Sequence, residues 1–156
     1  MMTSSVKECG VFPMEYPVET YNSVNLYPLA ADLLYQCLSL PGINIVMTGS
    51  VYSYAKTLFQ HIEETWCLSP SMKANFPDAY VCKEVDRWRF QLGNSRITSI
   101  ILADNFAQKV RGMRCDLAVC QNFSLVEPGQ QGFVHRLLDT HLNHPKINPR
   151  IIDVRS

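Results

Sequence analysis

Val110-Arg111-Gly112-Met113-Arg114-Cys115-Asp116-Leu117-Ala118-Val119-Cys120-Gln121-Asn122-Phe123 is the stretch on which the architecture turns. It opens with basic and turn-forming residues, then runs from Asp116 to Cys120 as a short, nearly continuous apolar segment. A segment of that length without polar alternation predicts a strand buried on both faces. Such strands belong to parallel sheets, so the sequence on either side is read for helices that cover them.

Upstream, Ile43-Asn44-Ile45-Val46-Met47 is a second β-rich run, ending at the turn and N-cap signal Thr48-Gly49-Ser50. Helical patterns flank it. Leu29, Ala30, Leu33, Leu34, Cys37 and Leu38 recur at helical spacing within Leu26 to Leu40, with Pro28 suited to a first turn and Pro41-Gly42 ending the helix. Ala55, Leu58, Phe59 and Ile62 share one face of a second helix over Tyr54 to Trp66. Beyond a proline-containing loop, Arg87 to Phe90 and Arg96 to Leu102 flank Gly93-Asn94-Ser95 and predict a hairpin. Downstream come a third helix, Gly132 to Leu142, and a last strand, Ile151 to Val154. Gly10 to Glu19, broken by Pro13 and Pro17, is at best a first strand. This order predicts a three-layer α/β fold, with a mainly parallel sheet flanked by helices and a β-hairpin insertion. Ligands of such sheets bind beyond the carboxyl ends of the strands, here Glu19 to Asn25, Thr48 to Ser50 and Cys120 to Phe123.

Composition sets the outer limits. A chain of 156 residues suits one domain able to bury a core without disulfides or metal. Hydrophobic content of 47% and charged content of 18% argue against long disorder. A formal net charge of +0 excludes a bulk electrostatic pull towards nucleic acid or membrane. The charges are unevenly distributed, however. Lys83, Arg87, Arg89, Arg96, Lys109, Arg111 and Arg114 supply half of the 14 Lys and Arg, against only Glu84, Asp86 and Asp104 in the same segment. Two readings stay open for this segment, a basic face that tracks phosphates and a set of solvated charges on strand edges.

The six cysteines form no C-x-x-C pair, the N-terminus lacks the features of a secretory signal, and no apolar run approaches the ~18 residues of a membrane span. Reduced thiols, a cytoplasmic location and no membrane association are expected. His135, His141 and His144 have no cysteine partners at zinc-site spacing, so no metal is expected. Trp66 and Trp88 are expected in the core or at an interface.

With these pieces in order, the chain resembles the ATPase domain of viral, phage-type large terminases, the motors that package DNA into capsids. Ile43 to Ser50 leading into the second helix is similar to that family's second strand and helix. Gly93-Asn94-Ser95-Arg96-Ile97 is similar to its hairpin motif, with Gly and Asn exchanged. Val110 to Arg114 resembles its Arg-Gly step, and Asp116 to Phe123 its acidic strand. The resemblance implies a P-loop NTPase-like fold over one domain, residues 1–156, with 1–10 the segment expected to be disordered.

The resemblance also locates what differs. Aligned through Leu29-Ala30-Ala31, the family's phosphate loop falls at Tyr21 to Leu26. Val24 then stands at its last glycine, Asn25 at its lysine and Leu26 at its Ser/Thr. In the acidic strand, Cys120 stands at the magnesium-binding Asp and Gln121 at the catalytic Glu. No G-x-x-x-x-G-K-[ST] occurs elsewhere in the chain. Phosphoryl transfer in this class relies on a glycine-rich loop, a lysine, magnesium ligands and a group that orients water. Their electrostatic stabilisation is usually the largest catalytic contribution. The resemblance therefore implies a pseudoenzyme of viral or prophage origin, without ATP hydrolysis, cofactor or metal. Such a protein would bind a viral or host protein, or DNA, in the host cytoplasm. Two alternatives are open: a nucleic-acid-binding module built on segment 83–114, and a cysteine-dependent enzyme with Cys120 as nucleophile and His135 or His141 as base. A homo-oligomer formed through the aromatic-rich segment Tyr16 to Tyr27 is open as well.

Overall fold

The computed structural model describes residues 16–22, 25–49, 52–101, 113–138 and 148–155. Among these residues, seven strands form one sheet, in the order β1-β7-β6-β2-β5-β4-β3. They are β1 (Val18–Asn22), β2 (Asn44–Gly49), β3 (Tyr80–Lys83), β4 (Arg87–Leu92), β5 (Ser95–Ile101), β6 (Leu117–Gln121) and β7 (Arg150–Arg155). The five strands from β1 to β5 in that order run parallel, and β4 and β3 add an antiparallel meander at one edge. The predicted α/β architecture with its hairpin is the one observed.

Alternation along each strand builds two cores. Ile45, Met47, Leu117, Val119, Ile152 and Val154 point to one side, where they meet α1 (Tyr27–Ser39) and α2 (Tyr52–Cys67) through Leu29, Leu33, Leu34, Leu58, Phe59 and Ile62. Val46, Ala118, Cys120 and Ile151 point to the other, against Val134, Leu137 and Leu138 of α4 (Pro128–Leu138). Both faces of the central strands are thus covered, which is why those strands read as unbroken apolar runs.

Several element limits differ from the sequence reading for local reasons. Thr48 and Gly49 continue β2 rather than turning, because Thr48 and Gly49 pair with Ile100 and Ile101 of β5. The stretch after Trp66 is not all loop. Ser69 accepts the Met72 N–H at 3.3 Å and caps a short helix, α3 (Pro70–Asn75), with proline in its first turn. β3 follows as an edge strand, with Val81 opposite Phe90. The third predicted helix begins earlier, at Pro128. The expected disordered segment 1–10 and the predicted end of the last helix beyond Leu138 lie outside the described residues.

Candidate functional site

The parallel strands β1, β7, β6 and β2 bring their carboxyl ends to one edge, where this fold class binds ligands. Asn25 and Leu26 stand just before α1, beyond the end of β1. Cys120 and Gln121 end β6, with β7 between the two groups. The topology therefore brings the four positions named above to the one carboxyl edge where this fold class has its ligand crevice. Each has a structural occupation there. The Asn25 Oδ1 accepts the Tyr27 N–H at 3.1 Å, at the start of the helix. Leu26 is buried in the α1–α2 core. Gln121 faces that same side, and its Oε1 is buried without a hydrogen-bond partner. Gly49 makes room for it: a Cβ there would lie 3.1 Å from the Gln121 Cβ.

Cys120 faces the α4 side within a lateral row of polar residues. Across the sheet, Thr48 stands opposite Cys120, Cys120 opposite Asp153 and Asp153 opposite Thr20. Asp153 is fully buried and accepts the Phe123 N–H at 2.8 Å, with Arg155 Nε at 3.1 Å from its other oxygen. Burial foremost, and then the Asp153 charge, push the Cys120 thiol up to about 12. Burial of this kind disfavours the thiolate that a nucleophilic cysteine needs. His135 is also engaged in packing. Its Nδ1 accepts the Tyr16 N–H at 3.0 Å, and its ring lies edge-on to Phe123 at 5.5 Å. These contacts argue against the cysteine-enzyme alternative; its other base, His141, lies outside the described residues.

The crevice contains residues the sequence reading did not single out. Asp153 was legible only as one charged residue inside the apolar run Ile151 to Val154. Asn122 turns the chain after β6 with φ 49° and ψ 46°, a left-handed conformation that asparagine tolerates better than most residues. The Thr48 hydroxyl is buried with no hydrogen-bond partner.

The basic residues divide between the two faces. Lys83 lies on the α2 side, paired with Glu63 at 2.9 Å and 4.6 Å from the Trp88 ring centre. Trp88 in turn meets Phe59 edge-on, as expected of a core aromatic. Because Phe90 and Leu92 point to that core, Arg87 and Arg89 point to the opposite face of β4. Arg96 does the same on β5, whose Ile97 points to the first core. Arg114 joins Arg96 at a common pocket lined also by Val46 and Thr98. Four of the seven predicted basic residues therefore share one face. Arg89 reaches Glu84 at 3.5 Å, Arg96 donates to Gln91 at 3.1 Å, and Arg114 lies 3.5 Å from the buried Asp116. Lys109 and Arg111 lie outside the described residues. Among the described residues no His, Cys, Asp or Glu cluster is placed to hold a metal ion, and no helix is long and apolar enough to cross a membrane.

The mainly parallel sheet, its two helical layers and the crevice at its carboxyl edge define an α/β domain with a P-loop NTPase-like, terminase-type fold. Solved structures of that fold superpose over most of the chain. The large terminase of bacteriophage HK97 matches with a TM-score of 0.61 at 14% identity, covering 89% of this chain and 29% of that one. The ATPase domain of the Thermus phage P74-26 large terminase matches at 0.60 and 13%, covering 90% and 60%. The N-terminal domain of the phi29 DNA packaging ATPase matches at 0.54 and 12%, covering 88% and 73%. The chain thus spans 60% of the P74-26 ATPase domain and 29% of the HK97 large terminase. No protein-family model and no curated protein sequence matches it.

Proposed function

We propose that this chain is a terminase-like pseudo-ATPase of viral or prophage origin that works by binding in a DNA-packaging setting and does not hydrolyse ATP. The observation that carries this reading is the occupation of the carboxyl-edge crevice. An amide bonded to the Tyr27 N–H, a core leucine, a buried thiol and an amide with an unpaired oxygen occupy the positions that the family resemblance aligns with a cation, a hydroxyl and two acids of phosphoryl transfer. None of the four carries charge, so nothing at these positions neutralises a triphosphate or holds magnesium. The terminase-type fold supports the packaging setting, and its likeness to ATPase domains names the activity to test. Calorimetric titration of the protein with Mg-ATP, run beside a phosphate-release assay, is the test. No turnover is expected. Turnover that disappears in Gln121→Ala would overturn the reading.

The placement of Arg87, Arg89, Arg96 and Arg114 on one sheet face favours DNA over a purely apolar contact as partner. DNA binding through that face weakens as salt rises, because neutralised phosphates release counterions. Substituting Arg87, Arg89 and Arg96 together with Gln should flatten the salt slope. Binding that is absent, or insensitive to salt, leaves a protein partner or a second copy of the chain.

A further inference from the structure

At the opposite edge of the sheet from the crevice, the amino ends of β2 and β5 and the approach to β6 line an open pocket of about 220 Å³. Its lining includes Asn44, Val46, Arg96, Thr98, Met113 and Arg114. We propose that this pocket is an oxyanion site that takes a single phosphate group between the Arg96 and Arg114 guanidiniums.

Three observations carry it. The first is charge. Arg96 is exposed and donates to the neutral amide of Gln91, and among the described residues no carboxylate pairs with it. Arg114 has one carboxylate neighbour, Asp116, whose other oxygen accepts the Asn44 N–H at 2.8 Å. Among the described residues that line the pocket, the charged side chains are Arg96 and Arg114, both cationic. The second is positioning. The Arg114 Nε lies 3.5 Å from the buried Asp116 carboxylate, which holds the guanidinium beside the pocket. Planar guanidiniums match phosphate oxygens with paired N–H donors, which a lysine pair would not. The third is size. At ~30 Å³ per water the space holds about seven waters, enough for a tetrahedral oxyanion with part of its shell.

This site stands apart from the carboxyl-edge crevice and does not depend on how that crevice is read. The test is a titration of the full ¹⁵N-labelled chain with inorganic phosphate, following the amide signals of Asn44, Thr98 and Arg114. Saturable shifts at these three residues with a dissociation constant on the order of 1 mM are expected. Arg96→Gln and Arg114→Gln should each weaken binding at least ~10-fold, whereas Lys83→Gln on the other face should leave it unchanged. Should Arg114→Gln unfold the protein by stranding Asp116, Arg96→Gln still decides, because Arg96 touches no buried acid. Competition then identifies the source of the phosphate. Displacement by a short DNA duplex upholds the site and assigns it to a nucleic-acid backbone. Tighter binding of glycerol phosphate than of duplex upholds it for a small phosphate ester. Absence of saturable shifts in the pocket, or shifts that survive both arginine substitutions, overturns the proposal.

Discussion

Cys120 is predicted to be inert in the native protein at neutral pH, and the size of the effect follows from its surroundings. Burial, and secondarily the charge of Asp153, raise its thiol from 9.0 to about 12. Below pH 9 that shift lowers the thiolate fraction by about 10³, and the thiolate is the species that attacks an alkylating reagent. Cys67 is exposed and serves as the internal reference. Native protein incubated with iodoacetamide at pH 7.5, quenched over time and mapped by peptide mass, should show Cys67 modified at least ~10³ times faster than Cys120. The same shift has a thermodynamic side. The folded thiol is harder to ionise than the unfolded one, so its contribution to stability is complete below pH 9 and is lost as pH rises from 9 towards 12. At pH 10 the loss is about 1 kcal/mol for this thiol, and Cys37, also raised to about 12 by burial, adds a similar amount. Urea unfolding of wild type and Cys120→Ala at pH 7 and pH 10 isolates the effect, since the variant should lose about 1 kcal/mol less between the two. Labelling of Cys120 within tenfold of Cys67, or an identical alkaline loss in Cys120→Ala, would refute the burial argument and restore a reactive cysteine to the crevice.

Two further predictions concern the turn that follows β6. Asp153→Ala removes the acceptor for the buried Phe123 N–H and should destabilise the protein by about 1–3 kcal/mol in urea unfolding, whereas Asp153→Asn, which retains an oxygen acceptor, should lose less. Asn122 holds a left-handed backbone, so Asn122→Val should cost about 1–2 kcal/mol, while Asn122→Gly should change the denaturation midpoint little.

Much of the architecture was legible because the relevant signals are local. The helical spacing from Leu29 to Leu38 marks α1, and the apolar runs of β2 and β6 mark strands covered on both faces. The elements that escaped are short or disguised. α3 has a helix-start signal at Ser69-Pro70 but only six residues, too few to show a period. β3 spans four residues on an edge, where one inward-facing Val81 gives no alternation to recognise. α4 starts at Pro128, and Gly129 and Gly132 give its first turns the composition of a loop.

The sequence by itself determined that Asn25, Leu26, Cys120 and Gln121 carry no cation, hydroxyl or carboxylate, because side-chain chemistry is independent of folding. It also determined the strand and helix order, since apolar periodicity is read from neighbours along the chain. Only the tertiary structure decided which distant residues meet. Inserting β7 between β1 and β6 places Asp153 beside Cys120 and hydrogen-bonds it to Phe123. The strand pleat sends Arg87, Arg89 and Arg96 to one face while Lys83 turns to the other, and the return of the chain to β6 sets Arg114 across a pocket from Arg96. Strand pairing between segments far apart in the chain leaves no local periodicity, so a sequence read along its length shows which charges are present but not which ones face each other.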